Sequence, residues 1–167
     1  MNKKTQTTAI KIDSTLSIFN AILLSTIGGQ VVIVAPGFVQ GLVEYMSFTS
    51  SQAGFIASSE MSGLAVATIS MIWLISRVDW RQAITFLLII VLIGNLVSMA
   101  VNDYQTFLIL RFICGFGSGG LLSICYAVMG LTTKTDRNFG YMIMWALIYG
   151  AVVLFIMPTI YSWVGMK

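Results

Sequence analysis

Residues 111–120, RFICGFGSGG, carry the glycine spacing Gly115-x-Gly117-x-x-Gly120 directly after Arg111. By itself this spacing is typical of a loop that binds the pyrophosphate of a dinucleotide. That function requires a β-strand before the glycines, a helix that opens after them and an acidic residue about 20 positions further on. The glycines instead lie within an apolar stretch that predicts one continuous helix, so we reject dinucleotide binding.

The remaining residue types exclude most soluble-enzyme chemistry. The chain contains no His, which rules out Ser–His and Cys–His nucleophile pairs and His-containing metal sites. Cys114 and Cys125 lie about 16 Å apart along one predicted helix, so they cannot bridge one another there. No Walker sequence is present, so the chain itself is not an ATP-driven pump. We therefore expect no enzyme activity, no metal and no cofactor.

The composition indicates a membrane protein. Hydrophobic residues make up 57% of the 167 positions and charged residues only 9%, whereas soluble domains carry about a quarter charged residues. Five apolar stretches are each long enough to cross a hydrocarbon layer of roughly 30 Å, which takes about 20 helical residues. The predicted fold is therefore all-α, a polytopic bundle of five transmembrane helices. A tail at 1–15 precedes the bundle at 16–167, whose predicted spans are approximately 16–43, 53–75, 82–102, 106–132 and 139–164.

The positions of Lys and Arg predict the orientation of the chain. They precede the first span and occupy the loops after the second and fourth spans, whereas the loops around 44–52 and 102–106 contain none. Short cytoplasmic loops retain positive charge, so we predict a cytoplasmic N-terminus and a C-terminus outside the cell membrane. The net charge of +3 reports this topology, and nothing in the pattern indicates a nucleic-acid partner. The residues concerned are Lys3, Lys4, Lys11, Arg77, Arg81, Lys134 and Arg137, with Lys167 at the outer end.

Two charged residues lie inside predicted spans, Arg111 in the fourth and Glu60 in the second. A charge within a bilayer costs at least a few kcal/mol, so it persists where it is paired, lines a watery cavity or reaches the interface. Arg111 lies about 9 Å inside the predicted outer boundary, close enough for its side chain to snorkel, whereas Glu60 lies roughly 13 Å deep. Glu60 is protonated if it lacks a partner and ionised beside Arg111, and a purely structural contact between two helices is the alternative.

Small residues accompany both charged positions. In a membrane helix they allow a neighbouring backbone to approach closely, and Gly115 and Gly119 have the spacing that places both on one helix face. Gly117 adds to the small-residue content of the same helix, and Gly63 lies near the same side of its helix as Glu60. We expect these glycines, together with Pro36 of the first span, to pack helices together.

Other polar or helix-breaking residues carry weaker signals. Tyr126 falls on the Arg111 stripe of the fourth span at about 100° per residue. Gln30 is placed to contact a substrate or to form an interhelical hydrogen bond. Pro36 interrupts the first predicted helix, because a Pro removes a backbone hydrogen bond and commonly kinks a membrane helix. Asn95, in an otherwise aliphatic third span, is interpreted as a helix–helix contact.

The fourth span carries a resemblance to a known family, the N-terminal half of major facilitator superfamily transporters. In that family this span often begins with an Arg followed by glycines, and Arg111, Gly115, Gly117 and Gly119 match the pattern one by one. TDRNFG, residues 135–140, is similar to the stretch that often opens the family's fifth span.

The loop after the second span carries a partial form of the family's motif, G-x-L-x-D-R-x-G-R-[KR]. The stretch IWLISRVDWR keeps Leu74, Arg77 and Arg81 and differs at positions 72, 76 and 79. The Gly-Pro antiporter signature of the family's fifth span is absent, because Gly150 and Pro158 lie far apart.

The resemblance implies a partial six-helix domain of a twelve-helix carrier that binds a small-molecule substrate between its halves. The chain is then an incomplete N-terminal fragment of a secondary-active transporter, apparently truncated at Lys167, coupled to protons or another ion and inactive in transport alone. Its partners are the lipid bilayer and the missing C-terminal half. Arg111 is a substrate-anion or proton-coupling residue and Glu60 its carboxylate partner or a proton carrier, with Gln30 and Tyr126 as further candidates.

One alternative comes from a different functional class. The chain could be a genuine five-span accessory or assembly protein that has no transport activity of its own. It would then bind another membrane subunit through its glycine faces.

Overall fold

The computed structural model describes residues 12–101 and 103–164 of the chain. Within these ranges the chain is helical and contains no strand, which confirms the predicted all-α bundle of five transmembrane helices. Each helix is long and apolar enough to cross a membrane. The helices are α1 (Thr15–Tyr45), α2 (Ser50–Leu74), α3 (Trp80–Ser98), α4 (Tyr104–Gly130) and α5 (Thr135–Val164).

Some of the sequence predictions fall outside the described residues. They include most of the predicted tail at 1–15 and position 102 at the end of the predicted third span. The same holds for four of the cations that predicted the orientation, Lys3, Lys4, Lys11 and Lys167.

Side chains cap the starts of four helices. Ser14, Thr49, Asp79 and Asp103 each accept a hydrogen bond from an amide in the first turn of α1, α2, α3 and α4. Such caps satisfy backbone N–H groups that have no partner within the helix. The Thr106 amide donates to the ionised carboxylate of Asp103 at 2.9 Å, and this bond lowers the pKa of Asp103 from its ordinary value.

The helix α4 is the centre of the bundle and contacts all four of the others. Its most extensive contact is with α2. Short connections make consecutive helices antiparallel, so α2 and α4 run in one direction and α1, α3 and α5 in the other. We call the end where α1 and α3 finish the Ser98 end, and the end where α1 begins the Thr15 end. The helix α5 packs mainly against α1.

Glycines bring the α2 and α4 backbones into direct contact. A methyl group added at Gly115 would overlap the carbonyl oxygen of Glu60, and one added at Gly119 would overlap that of Leu64. From the other side, a methyl group at Gly63 would overlap the carbonyl oxygen of Phe112. Both helices therefore contribute small residues to one seam, as in close helix pairs in membranes.

Gly117 faces a different neighbour, the helix α3. A methyl group there would lie 2.8 Å from the side chain of Val91. Gly28 of α1 meets α4 in the same manner, since its methyl group would lie 2.7 Å from the carbonyl oxygen of Ser118. Glycines thus allow α1, α2 and α3 to pack closely against α4.

The expected interruption of the first helix at Pro36 is wrong. The helix α1 continues through Pro36 from Thr15 to Tyr45. A Pro removes only one backbone hydrogen bond, and the other bonds of a long membrane helix maintain it. The ring of Pro36 is exposed and lines a groove between α1 and α5.

The α1–α2 connection packs into the Ser98 end of the bundle. Ser47 has φ 58°, and this left-handed residue turns the chain so that Phe48 enters the interior. Phe48 packs there with Leu42 of α1, Ile56 of α2 and Phe107 of α4. The cluster packs α1, α2 and α4 together at the Ser98 end.

Candidate functional site

Arg111 and Glu60 meet inside the bundle. Nη1 of Arg111 lies 3.5 Å from Oε1 of Glu60, and the two side chains are only 7% and 9% exposed. The seam at Gly115 makes this contact possible, because it brings the Glu60 backbone against α4 one helical turn beyond Arg111. This is the only ion pair in the part of the chain that the structure describes. Arg111 thus points into the protein and not toward the headgroup region.

Two neutral side chains of α3 hold the other guanidinium nitrogen. Nη2 of Arg111 donates to the hydroxyl of Ser98 at 2.5 Å and to the amide oxygen of Asn95 at 3.2 Å. Ser98 donates in turn to the Gly94 carbonyl at 2.6 Å, and the Asn95 amide donates to the Val91 carbonyl at 2.8 Å. Both acceptors are therefore fixed by their own helix before they meet the guanidinium.

Aromatic rings complete the environment of the guanidinium. Its central carbon lies 5.7 Å from the ring centroid of Phe38 on α1 and 5.4 Å from that of Phe107 on α4. Cation–π contacts at these distances stabilise a desolvated cation. Nε of Arg111 is the one buried side-chain polar atom without a hydrogen bond among the described residues. Pairing, neutral hydrogen bonds and aromatic contacts together compensate for the lost hydration of Arg111.

A cavity of about 230 Å³ adjoins this pair. Its wall combines charged, amide and phenolic groups with apolar side chains. Within this wall, the Tyr149 hydroxyl of α5 donates to Oε1 of Gln30 on α1 at 3.4 Å. All five helices contribute to the wall, whose polar members are Gln30, Glu60, Asn95, Arg111 and Tyr149.

A second cavity of about 190 Å³ lies toward the Ser98 end. It shares Phe38, Asn95 and Arg111 with the first cavity and adds Ser98 and Tyr161. The guanidinium therefore stands between two spaces, one in the middle of the bundle and one toward the Ser98 end. A solute or proton passing from one space to the other would meet Arg111.

The structure brings together three of the four residues predicted to contact substrate or protons. Arg111, Glu60 and Gln30 line one cavity. Tyr126 does not belong to it, because it lies about 22 Å along α4 from Arg111. Its ring packs edge-on against Phe139 of α5, with centroids 5.8 Å apart.

The predicted loop motif lies at the opposite end of the bundle. Leu74 ends α2, Arg77 lies in the α2–α3 connection and Arg81 lies in the first turn of α3. None of them lines a cavity that contains Arg111. They form a separate surface feature at the Thr15 end.

Several residues of the site were not predicted as site residues. Asn95 was interpreted as a helix contact only, and Ser98, Phe38, Phe107 and Tyr149 were not singled out for this role. The spacing Asn95-x-x-Ser98 was the available signal, because residues three apart on a helix share a face and both are polar within an aliphatic span. For the aromatic residues the sequence offers no comparable signal.

Comparison with known proteins gives one result. A family model described as "Sugar (and other) transporter" matches residues 3–148. No curated protein and no solved structure matches the chain. The family match includes Glu60, Arg111 and the whole of α1 to α4.

Proposed function

The chain belongs to the sugar (and other) transporter family, and from this premise we propose that it carries the solute site of an ion- or proton-coupled carrier. The family is one of membrane transporters and not of enzymes, in agreement with the resemblance to the major facilitator superfamily. The supporting observation is the buried contact between Arg111 and Glu60 at the wall of a cavity that also holds Gln30.

In the proposed mechanism, Glu60 carries the proton and Arg111 responds to it. When Glu60 is ionised, its carboxylate holds Nη1 of the guanidinium. When Glu60 takes up a proton from the cavity, that attraction is lost and Nη1 becomes available to a solute oxygen. Ser98 and Asn95 keep hold of Nη2 throughout, so the guanidinium stays in place while its partner changes. Proton binding and solute binding are thereby coupled at one residue pair.

Gln30 and Tyr149 supply the neutral part of the proposed solute site. An amide and a phenol can each donate and accept hydrogen bonds, which suits a solute rich in hydroxyl groups. Their mutual hydrogen bond is long, at 3.4 Å, so a solute hydroxyl could replace either partner. The ring of Phe38 provides an apolar surface on the same wall.

We further propose that the Thr15 end faces the cytoplasm. Arg77, Arg81, Lys134 and Arg137 all belong to that end, whereas the described connections at the Ser98 end carry no Lys or Arg. Short loops rich in Lys and Arg remain on the cytoplasmic side. The Arg111–Glu60 pair would then lie in the outer half of the membrane.

The alternative of an accessory protein that binds through its glycine faces has less support. Gly63, Gly115 and Gly119 already contact backbone within the chain, and Gly117 contacts α3. These glycines are therefore not available to another subunit.

Solute binding provides the test of the proposed function. The purified chain in detergent is screened by thermal shift against neutral monosaccharides, polyols and sugar acids, at acidic and alkaline pH. We expect at least one class to raise the melting temperature, with a pH dependence that Glu60→Gln abolishes and with weaker binding in Gln30→Ala.

The exposed Thr159→Ala variant on α5 serves as the matched control and should behave as the unmodified chain. Stabilisation by no solute of the panel, or stabilisation that persists unchanged in the Glu60 and Gln30 variants, would contradict the proposal.

A further inference from the structure

A groove of about 440 Å³ lies between α2 and α3 at the Thr15 end and is separate from the solute site. Leu74, at the groove, is about 21 Å along α2 from Glu60. Apolar side chains of three helices form most of its wall, namely Met71, Leu74, Phe86, Leu87 and Phe116. We call it the α2–α3 groove.

The groove opens toward the outside of the bundle. Leu74 and Phe86, on its two edges, are 46% and 64% exposed. Both edges belong to helices that are long and apolar enough to cross a membrane, so an acyl chain in the bilayer can reach the opening. An apolar slot in this position would be filled by hydrocarbon and not by water.

Among the described residues, the groove is lined by a single cation, Arg77. Its guanidinium has neither an ion pair nor a hydrogen bond with any described residue. Asp79 also lines the groove, but its carboxylate accepts from the amides of Arg81 and Gln82 at 2.8 and 3.5 Å and forms no ion pair with Arg77. The guanidinium is thus free to bind an anion.

The connection between α2 and α3 adjoins the groove and is itself stabilised by a hydrogen bond. The indole N–H of Trp80 donates to the carbonyl oxygen of Ile75 at 3.0 Å and ties the start of α3 to the end of α2. Arg77 lies within the segment that this bond closes. This bond fixes the backbone of Arg77 next to the apolar slot.

We propose that the α2–α3 groove binds one anionic phospholipid, with an acyl chain along Leu74 and Phe86 and the phosphate at Arg77. A guanidinium donates two parallel hydrogen bonds to a phosphate, and basic pockets between helices at the cytoplasmic side bind anionic headgroups. The apolar wall requires a ligand with hydrocarbon, so a free phosphate ion would use only half of the site.

Native mass spectrometry of the full chain tests this proposal. The protein is released from detergent after incubation with phosphatidylglycerol or with phosphatidylcholine, and the bound lipids are counted. We expect one retained phosphatidylglycerol, and about fivefold weaker binding of it in Arg77→Gln, the loss anticipated for one interfacial cation. Filling the groove with Ala83→Phe should weaken the binding of both lipids.

Arg137→Gln is the matched control. Arg137 is another exposed arginine at the Thr15 end, stacks on Tyr141 at 5.7 Å and lines no described cavity. Its loss should leave retention of phosphatidylglycerol unchanged. Equal losses in the Arg77 and Arg137 variants, or equal retention of the two lipids by the unmodified chain, would overturn the proposal. Since Arg77 is exposed, its variant decides the outcome even if Ala83→Phe fails to fold.

Discussion

The hydroxyl of Ser98 lies 2.5 Å from Nη2 of Arg111, whereas the Glu60 carboxylate lies 3.5 Å from Nη1. The closest partner of the buried cation is therefore a neutral residue of α3 and not the acidic residue of α2. Ser98 can play this part because its own hydrogen is donated to Gly94, which leaves the oxygen lone pairs for Arg111. The position of the guanidinium thus depends on α3 as well as on α2.

Ser98→Ala should destabilise the chain by about 1–3 kcal/mol, because Nη2 of a buried guanidinium loses its shortest hydrogen bond. The free energy of unfolding is measured in mixed micelles. Ser62→Ala is the control: the Ser62 hydroxyl also donates to a carbonyl four residues earlier, at 2.7 Å, but Ser62 is exposed and has no second partner. Equal effects of the two substitutions would show that Ser98 does not support Arg111.

Glu60→Gln should destabilise the chain by about 3 kcal/mol, because it leaves a buried cation without its counter-charge. Replacing Arg111 with Met in the same background should recover part of that loss. The double-mutant cycle should give a coupling energy of about 1–3 kcal/mol between the two positions. Additive single effects would mean that the two side chains do not interact.

Arg111→Lys should fail to substitute for the arginine. A single ammonium group cannot reach Ser98, Asn95 and Glu60 at once, whereas the forked guanidinium does so with two nitrogens. We expect loss of both thermal stability and pH-dependent solute binding in this variant. Full activity with Lys would instead fit a side chain that extends to the membrane interface.

Gly115→Ala should destabilise the chain by about 3 kcal/mol or more, because the added methyl group would overlap the Glu60 backbone and force α2 away from α4. Gly54→Ala in α2 is the matched control. A methyl group there meets nothing within 4 Å, and Ala is a better helix former than Gly by about 1 kcal/mol. We expect Gly54→Ala to be neutral or stabilising. Melting temperatures in detergent separate the two outcomes.

Apolar length and composition were enough to predict the helices, because a membrane span needs a fixed number of apolar residues. The depth of Glu60 and Arg111 also predicted that they could meet. The spacing Asn95-x-x-Ser98 indicated a polar face on α3, but the contact of Ser98 with Arg111 could not be predicted, because it depends on how α3 is rotated about α4. That rotation is set by tertiary contacts such as Gly117 against Val91.

Two other sequence-based expectations differ from the structure for geometric reasons, the alignment of Tyr126 with Arg111 and the interruption of α1 at Pro36. The stripe that joined Tyr126 to Arg111 drifts around α4, because 15 residues at about 100° each end roughly 60° away from the starting direction. The expected interruption at Pro36 was based on the one backbone hydrogen bond that a proline removes. The 31-residue helix α1 continues because its other backbone hydrogen bonds remain.

The helix α5 is attached to the bundle differently from α1 and α2. A methyl group at Gly28 or Gly115 meets backbone atoms of the partner helix, but at Gly150 and Gly37 it meets the side chains of Ile33 and Met157. Side chains at a helix contact can repack when one helix shifts along another, whereas backbone atoms that already touch cannot. A shift of α5 along α1 would therefore require only side-chain repacking, and Tyr149 would move with α5. The cavity volume next to Gln30 would then change through movement of α5, while α1, α2 and α4 keep their positions.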